Sequence, residues 1–344
     1  MAATDIQPSH CMGLMAHDFA NEDVRANSRA VVPDYAITVR SLHKVYGRGE
    51  KAKTALTSID LDIPRGAFFG LLGPNGAGKS TLINILAGLV LKTSGTARIW
   101  GYDIDTNARA TRQAIGVVPQ ELNIDPFFTP RETLELQAGL YGVPKRSRRT
   151  DEILEAVGLS AQADSYTRTL SGGMRRRLLV AKALVHAPPI VVLDEPTAGV
   201  DVELRQQFWT YVGRLHADGT TILLTTHYLE EAERFCDRIA IINHGSLVAC
   251  EATPALLTRL DSKILTISCA QDLTTLPPSL STYGAQLFPP SRLAIRYRPS
   301  QTTVGDVLTA VQRAGLTIVD LTTEDSDLED IFLALTKRNT DGAT

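Results

Sequence analysis

The sequence predicts an α/β fold built on an open sheet of mainly parallel strands. Three observations carry that prediction. Ile190–Leu193 is a continuous apolar run, the pattern of a strand buried on both faces of a parallel sheet. An amphipathic helix follows from about Glu203 to Ala217, with Leu204, Phe208, Tyr211, Val212 and Leu215 on one face and Gly219 past its end, and Thr221–Thr225 then reads as the next buried strand. Far upstream, the apolar run Ala67–Leu72 enters a glycine-rich loop and then a helix from Lys79 through Ala87, striped by Leu82, Ile85 and Leu86. Strands alternating with helices define an open α/β sheet.

The other elements fall around this core. Strand-like alternation begins at Ala36-Ile37-Thr38-Val39, and Gly95–Trp100 reads as a further strand. From Pro130 to about Val157 the chain is polar and helical, broken near Pro144; the basic run Lys145, Arg146, Arg148 and Arg149 at the break reads as a solvated turn. Ile239–Ile242 is another strand. After about Leu260 the pattern changes. Ile264–Cys269 and Leu293–Tyr297 read as strands, and Val304–Ala314 as a helix with Val307, Leu308 and Val311 inward. A last helix over Asp327–Thr336 carries the stripe Leu328, Ile331, Phe332 and Leu335, with Ser326 and Glu329 spaced as a capping box. We read this tail as a small separate α+β domain without His and without evident chemistry.

Composition narrows the function classes. Of 344 residues, 44% are hydrophobic, enough for a sizeable core, and the net charge of −3 gives no sign of a nucleic-acid partner. No apolar run reaches the ~20 residues that cross a bilayer. Residues 1–33 are polar and aperiodic and read as a flexible extension; Asp5, His10 and Asp18 stand where a signal peptide needs a basic and then an apolar region. Cys11, Cys236, Cys250 and Cys269 lack paired spacing and read as reduced thiols of a cytosolic protein, and His10, Cys11 and His17 read as leader residues, not metal ligands.

The chemistry lies in three motifs. Gly73-Pro74-Asn75-Gly76-Ala77-Gly78-Lys79-Ser80-Thr81 fits G-x-x-x-x-G-K-[ST], a loop whose backbone N–H groups point at phosphate oxygens in front of a helix N-terminus. Leu170-Ser171-Gly172-Gly173 is a second glycine-rich turn, and Leu193-Asp194-Glu195-Pro196 puts an acidic pair after the apolar run 190–193. Gly73, Asp194 and His227 each follow a predicted strand and so fall on one rim, where open α/β sheets bind ligands. His43, His186, His216 and His244 have no such placement.

In combination these motifs, with Gln120 after Val117-Val118-Pro119, Gly199-Val200-Asp201 and His227, resemble the ATP-binding-cassette (ABC) ATPases over about Ile37–Ala249. The resemblance implies a P-loop NTPase (RecA-like) core over 34–258, with an antiparallel β subdomain, a helical subdomain at about 121–182, and the α+β domain over 262–344. It implies ATP and Mg²⁺ as cofactors, held by Gly73, Pro74, Asn75, Gly76, Ala77, Gly78, Lys79, Ser80 and Thr81. Lys79 would neutralise phosphate charge, Ser80 and Asp194 would hold Mg²⁺, Gln120 would sense the γ-phosphate near the metal, His227 would touch that phosphate, and Glu195 would act on the attacking water. Tyr46 is similar to the aromatic residue that stacks on adenine. Ser171, Gly172 and Gly173 would complete the site of a second copy, with Asp201 in dimer communication. The family often carries Gln where this chain has Met174, a change expected to be tolerated. Arg175, Arg176 and Arg177 oppose the dipole of the helix they start; either phosphate or an acidic partner lies near, or exposed arginines tolerate the position.

The resemblance extends to the cassettes of ABC-2-type exporters of drugs, polyketides or glycolipids. It rests on Phe69-Gly70-Leu71-Leu72, the run Gly172-Gly173-Met174-Arg175-Arg176-Arg177-Leu178, Thr225 to Ala232, and Leu328-Glu329-Asp330-Ile331-Phe332. It implies a homodimer of cassettes docked on separate polytopic transmembrane permease subunits at the cytoplasmic face of the inner membrane, with no nucleic acid bound. A soluble ABC ATPase acting on ribosomes or DNA, and an importer cassette, are the alternatives. Removing Ser262–Thr344 is expected to leave nucleotide binding intact.

Overall fold

The structure is a computed structural model and describes residues 32–121, 123–198, 200, 202–259, 262–281, 283–325 and 327–337. Gly199, Asp201, Ser326 and nearly all of the 1–33 extension, with its His10, Cys11 and His17, lie outside the described residues.

The chain opens with β1 (Tyr35–Tyr46) and β2 (Lys53–Pro64), an antiparallel pair, and then β3 (Phe68–Leu72), which leads through the glycine-rich loop into α1 (Lys79–Leu86). β4 (Ser94–Ile99) returns to the free edge of β1 and carries the two-residue β5 (Tyr102–Asp103), giving a four-stranded antiparallel sheet in the order β2-β1-β4-β5. α2 (Ala108–Gln113) connects to β6 (Ile115–Val118). Three helices follow: α3 (Pro130–Leu140), α4 (Thr150–Ala156) and α5 (Gly172–Leu184). α3 starts sharply because Thr129 and Glu132 form a reciprocal capping box around Pro130, whose missing N–H costs nothing in the first turn.

β7 (Ile190–Asp194), α6 (Val202–Ala217), β8 (Thr221–Thr225), α7 (Leu229–Phe235), β9 (Arg238–Asn243), β10 (Ser246–Ala252) and α8 (Thr253–Leu257) complete the core. The second sheet runs β10-β9-β3-β8-β7-β6, parallel except for the β9–β10 hairpin. β3 and β8 are buried along their whole length, the burial that the apolar runs require. On one face, α1 and the antiparallel sheet bury Leu82, Ile85, Ile37 and Ile63 against Phe69 and Val192. On the other, α5, α6, α7 and α8 bury Leu179, Val212, Ala232 and Leu256 against Phe68 and Leu224. α3, α4 and α5 share a further cluster built on Leu134, Leu154 and Leu178, so α5 belongs to both layers. The basic run at the break between α3 and α4 is more tied than a bare solvated turn: Arg148 pairs with Glu135 at 2.5 Å and Arg149 with Glu152 at 2.6 Å.

The C-terminal region has β11 (Lys263–Cys269), α9 (Pro278–Ser281), β12 (Ala285–Phe288), β13 (Arg292–Tyr297), α10 (Val304–Arg313) and β14 (Ile318–Asp325), a four-stranded antiparallel sheet in the order β12-β13-β11-β14. Val307 and Val311 of α10 pack on Leu265, Ile267 and Leu293. The last helix, α11 (Leu328–Lys337), departs from the expectation of a separate domain over 262–344. Its buried Leu328 and Ile331 join the core cluster of the parallel sheet, and Asn243 of β9 donates to the Thr336 carbonyl at 3.0 Å. The amphipathic stripe is the expected one; its packing target is the preceding domain. Cutting the chain at Ser262 therefore also strips two buried side chains from the core, each contributing about 1.5–3 kcal/mol.

Candidate functional site

The rim of the parallel sheet gathers the sequence-predicted residues. β3, β8, β7 and β6 lie side by side and parallel, so the residues after their carboxyl ends share an edge: Gly73 after β3, His227 after β8, Asp194 and Glu195 at β7, and Gln120 after β6. The loop from Gly73 to Gly78 fits closely against its surroundings. A Cβ at Gly73 would stand 2.2 Å from the Ile242 carbonyl oxygen, and one at Gly78, where φ is +112°, would stand 2.7 Å from the Ala55 oxygen. These two glycines let the loop curl into an open cradle of N–H groups at the start of α1. Ser80 is exposed in the first turn of that helix. Lys79 is buried, and its ammonium bridges the carbonyls of Gly73 at 2.6 Å and Pro74 at 3.2 Å. Burial lowers its pKa, while the charges of Glu195 and Asp194 work in the opposite direction.

Glu195 is the centre of the arrangement. Its Oε2 accepts from Gln120 Nε2 at 2.7 Å and lies 3.5 Å from His227 Nδ1. Its backbone is left-handed, with φ +47° in a non-glycine residue. Such strain persists only where neighbours over-determine it. Here its N–H donates to both the carbonyl and the hydroxyl of Thr225, at 3.0 and 3.1 Å. The Thr225 hydroxyl in turn donates to Asp194 Oδ1 at 2.5 Å, so one buried threonine holds both carboxylate residues.

Sequence reasoning quoted this threonine, Thr226 and Glu231 only within the run Thr225 to Ala232 and gave them no role, and it passed over Thr197 and Trp209; Thr197, Thr226, Trp209 and Glu231 form a buried cluster behind the rim. The one signal was positional: Thr225-Thr226 immediately precedes His227. The three arginines of α5 resolve differently. Arg176 is buried and donates to the Pro119 carbonyl at 2.9 Å, and Arg177 donates to the Val157 carbonyl at 2.8 Å. Two of the three cations thus serve backbone carbonyls. Burial lowers the Arg176 pKa, with Asp194 and Glu195 opposing that shift.

Two predicted groups stand apart from this constellation. Ser171 caps α5 by accepting from the Met174 N–H at 3.2 Å and is exposed with Gly172. Tyr46, at the end of β1, is exposed and carries the Lys44 ammonium 4.6 Å from its ring centroid. His186 and His216 are held by backbone carbonyls, of Ile115 at 3.3 Å and Gly66 at 2.9 Å.

The donor set fits a magnesium nucleotide: a backbone cradle, a buried lysine, an exposed hydroxyl at Ser80 and a carboxylate at Asp194. Mg²⁺ is typically bound by one or two carboxylates plus substrate phosphates. No group of three or more His, Cys, Asp or Glu side chains suited to a metal occurs among the described residues.

This rim, with its phosphate cradle and paired carboxylates, defines a nucleotide-binding cassette. The family model "ABC transporter" matches residues 56–198. A Nod factor export ATP-binding protein I from Ralstonia nicotianae is 36% identical over 305 residues, 88% of this chain and 94% of the relative. The daunorubicin/doxorubicin resistance ATP-binding protein DrrA from Streptomyces peucetius is 36% identical over 312 residues, 88% of this chain and 93% of the relative. Among solved structures, a dimeric post-hydrolysis state of the ATP-binding cassette MJ0796 bound to ADP and Pi matches with a TM-score of 0.57 at 29% identity, covering 63% of this chain and 98% of that one. The chain belongs to the ABC transporter family and is the ATP-binding subunit of such a transporter.

Proposed function

We propose that the chain hydrolyses ATP to power an ABC-2-type membrane exporter, as one of two cassettes that dimerise around nucleotide. The observation that carries the hydrolytic reading is Glu195, held in a left-handed backbone with its carboxylate between Gln120 and His227.

Phosphoryl transfer asks for positioning and charge stabilisation more than covalent chemistry. The loop from Gly73 to Gly78 holds the phosphates, and Lys79 turns from its own loop carbonyls to them. Ser80 and Asp194 would hold Mg²⁺, which would supply charge neutralisation at the phosphate oxygens. Glu195 orients the attacking water and accepts its proton, and Gln120 and His227 keep that carboxylate aimed at the γ-phosphate. Tyr46 offers its free ring face to adenine. Ser171, Gly172 and Gly173 complete the site of the second copy, with the α5 N-terminus directed at its γ-phosphate.

The exporter reading is supported by relatives named for export or drug resistance that align with nearly the whole chain, C-terminal region included. In this reading the pathway lies in separate permease subunits; no helix among the described residues is long and apolar enough to cross a membrane. Phe127, in the loop after Gln120, and Leu140, at the C-terminal end of α3, are strongly exposed and offer apolar contact to those subunits.

The test is to tag the chain, solubilise host membranes in mild detergent, and purify with Mg-ATP. A polytopic membrane protein in equal amount is the expected result. Elution alone, or with ribosomal or DNA-repair proteins, would leave the ATP site standing and remove the transport reading.

A further inference from the structure

Glu231 sits in the first turn of α7 beside Glu230, a place that favours acidic residues through the helix dipole and normally leaves them solvated. Its side chain is instead buried, at 7% exposure. A carboxylate out of water needs donors around it, and Glu231 has them. The Thr197 hydroxyl donates to Oε1 at 2.8 Å, Trp209 Nε1 donates to Oε1 at 3.1 Å, and the Thr226 hydroxyl donates to Oε2 at 3.0 Å. Arg205 Nε lies 3.7 Å away, with the guanidinium 4.4 Å from the Tyr228 ring.

The positions of these donors give the cluster meaning. Thr197 is two residues after Glu195, and Thr226 immediately precedes His227. The Trp209 hydrogen bond fixes the carboxylate to α6, with the Arg205 charge of the same helix 3.7 Å away. The strained Glu195 backbone is gripped on its amide side by Thr225, and the chain leaving it is gripped through Thr197. One buried anion thus ties together the two segments whose side chains meet at Glu195 Oε2.

We propose that Glu231 is a positioning residue for hydrolysis: it sets the distance between Glu195 and His227 without touching nucleotide. The inference rests on the ATPase reading above. Misplacing a reacting group by about 1 Å costs on the order of 100-fold in rate, so loosening this tie acts on turnover while the phosphate cradle, on other elements, keeps its affinity.

The test uses the purified full chain. Turnover, KM, melting temperature and the affinity for a fluorescent ATP analogue are measured for wild type, Glu231→Ala, Glu231→Gln and Thr226→Val. For Glu231→Ala, kcat is expected to fall about 10- to 100-fold with nucleotide affinity within about threefold of wild type. Glu231→Gln keeps an acceptor for Trp209 and is expected to recover most of the rate; Thr226→Val, which removes one donor, is expected to give a smaller loss. If Glu231→Ala does not fold, the other two variants decide. A folded Glu231→Ala or Thr226→Val with wild-type kcat overturns the inference. So does a parallel loss of affinity, melting temperature and rate in which Glu231→Gln is no better than Glu231→Ala. A wild-type chain that binds but never hydrolyses ATP overturns the ATPase reading and the inference with it.

Discussion

The rim of the parallel sheet and the N-terminal end of α5 both carry signature residues, yet they are built in opposite ways. On the rim the groups around the acidic pair are tied to one another within the chain: Asp194 to Thr225, Glu195 to Gln120, and Thr197 and Thr226 to Glu231. At α5, Ser171 caps its own helix and faces solvent with Gly172. Under the proposed pairing of two cassettes, the exposed helix N-terminus with its positive dipole end would serve the half-site of the other copy. Arg176, from α5 to the Pro119 carbonyl beside Gln120, is the bridge between the two regions.

The largest expected effect is at the rim. Glu195→Gln keeps the hydrogen-bonding shape and removes the base, so turnover should fall about 10²- to 10⁴-fold while ATP affinity is retained. Steady-state hydrolysis alongside nucleotide binding checks this; near-wild-type hydrolysis would take the base role from Glu195 and end the contrast drawn above.

The bridge comes next. Arg176→Met keeps much of the buried stem and removes the bond to Pro119, leaving that carbonyl without its charged donor at a cost of about 1–3 kcal/mol. Turnover and melting temperature should both fall, with ATP affinity less affected. A variant with unchanged turnover would mean that α5 and the Gln120 segment are independent.

At the exposed end, Ser171→Ala removes a cap of about 1 kcal/mol, a modest loss for a single chain. If a second copy uses this end, ATP-dependent dimer formation by the Glu195→Gln protein should weaken further than the melting temperature predicts. Size-exclusion chromatography with Mg-ATP reads this directly. Equal dimerisation with and without Ser171 would assign the residue to helix capping alone.

What was legible in the sequence follows the same division. Gln120 came from the family resemblance and Glu195 from its place beside Asp194, while Gly73, Asp194 and His227 were found because each follows a predicted strand end, and strand ends of a parallel sheet share an edge by topology. Thr225 and Glu231 were not, because their roles arise from side-chain bonds across 5 to 34 positions, formed only when β7, β8 and α7 pack. For Arg176 the sequence left open a ligand or a merely tolerated cation; the structure ends its reach on the half-buried Pro119 carbonyl. The stripe of α11 was plain, but amphipathicity fixes a face and not what covers it, and the helix packs on the ATPase core.

The far end of α5 gives the subtlest test. His186, two residues past that helix, stacks on Tyr141 with ring centroids 3.7 Å apart and bonds the Ile115 carbonyl of β6. Burial pushes its pKa from 6.5 down to about 4. The folded state therefore binds this proton less readily than the unfolded chain. Its penalty is absent above pH 6.5 and grows as pH falls toward 4, to about 3 kcal/mol at most. Glutamine can still donate to Ile115 and does not titrate. His186→Gln should thus leave stability at pH 7 close to wild type and flatten the decline of melting temperature between pH 6.5 and 4. Parallel declines would mean that His186 takes up its proton in the fold as readily as in the unfolded chain, and that burial beneath Tyr141 carries no such penalty.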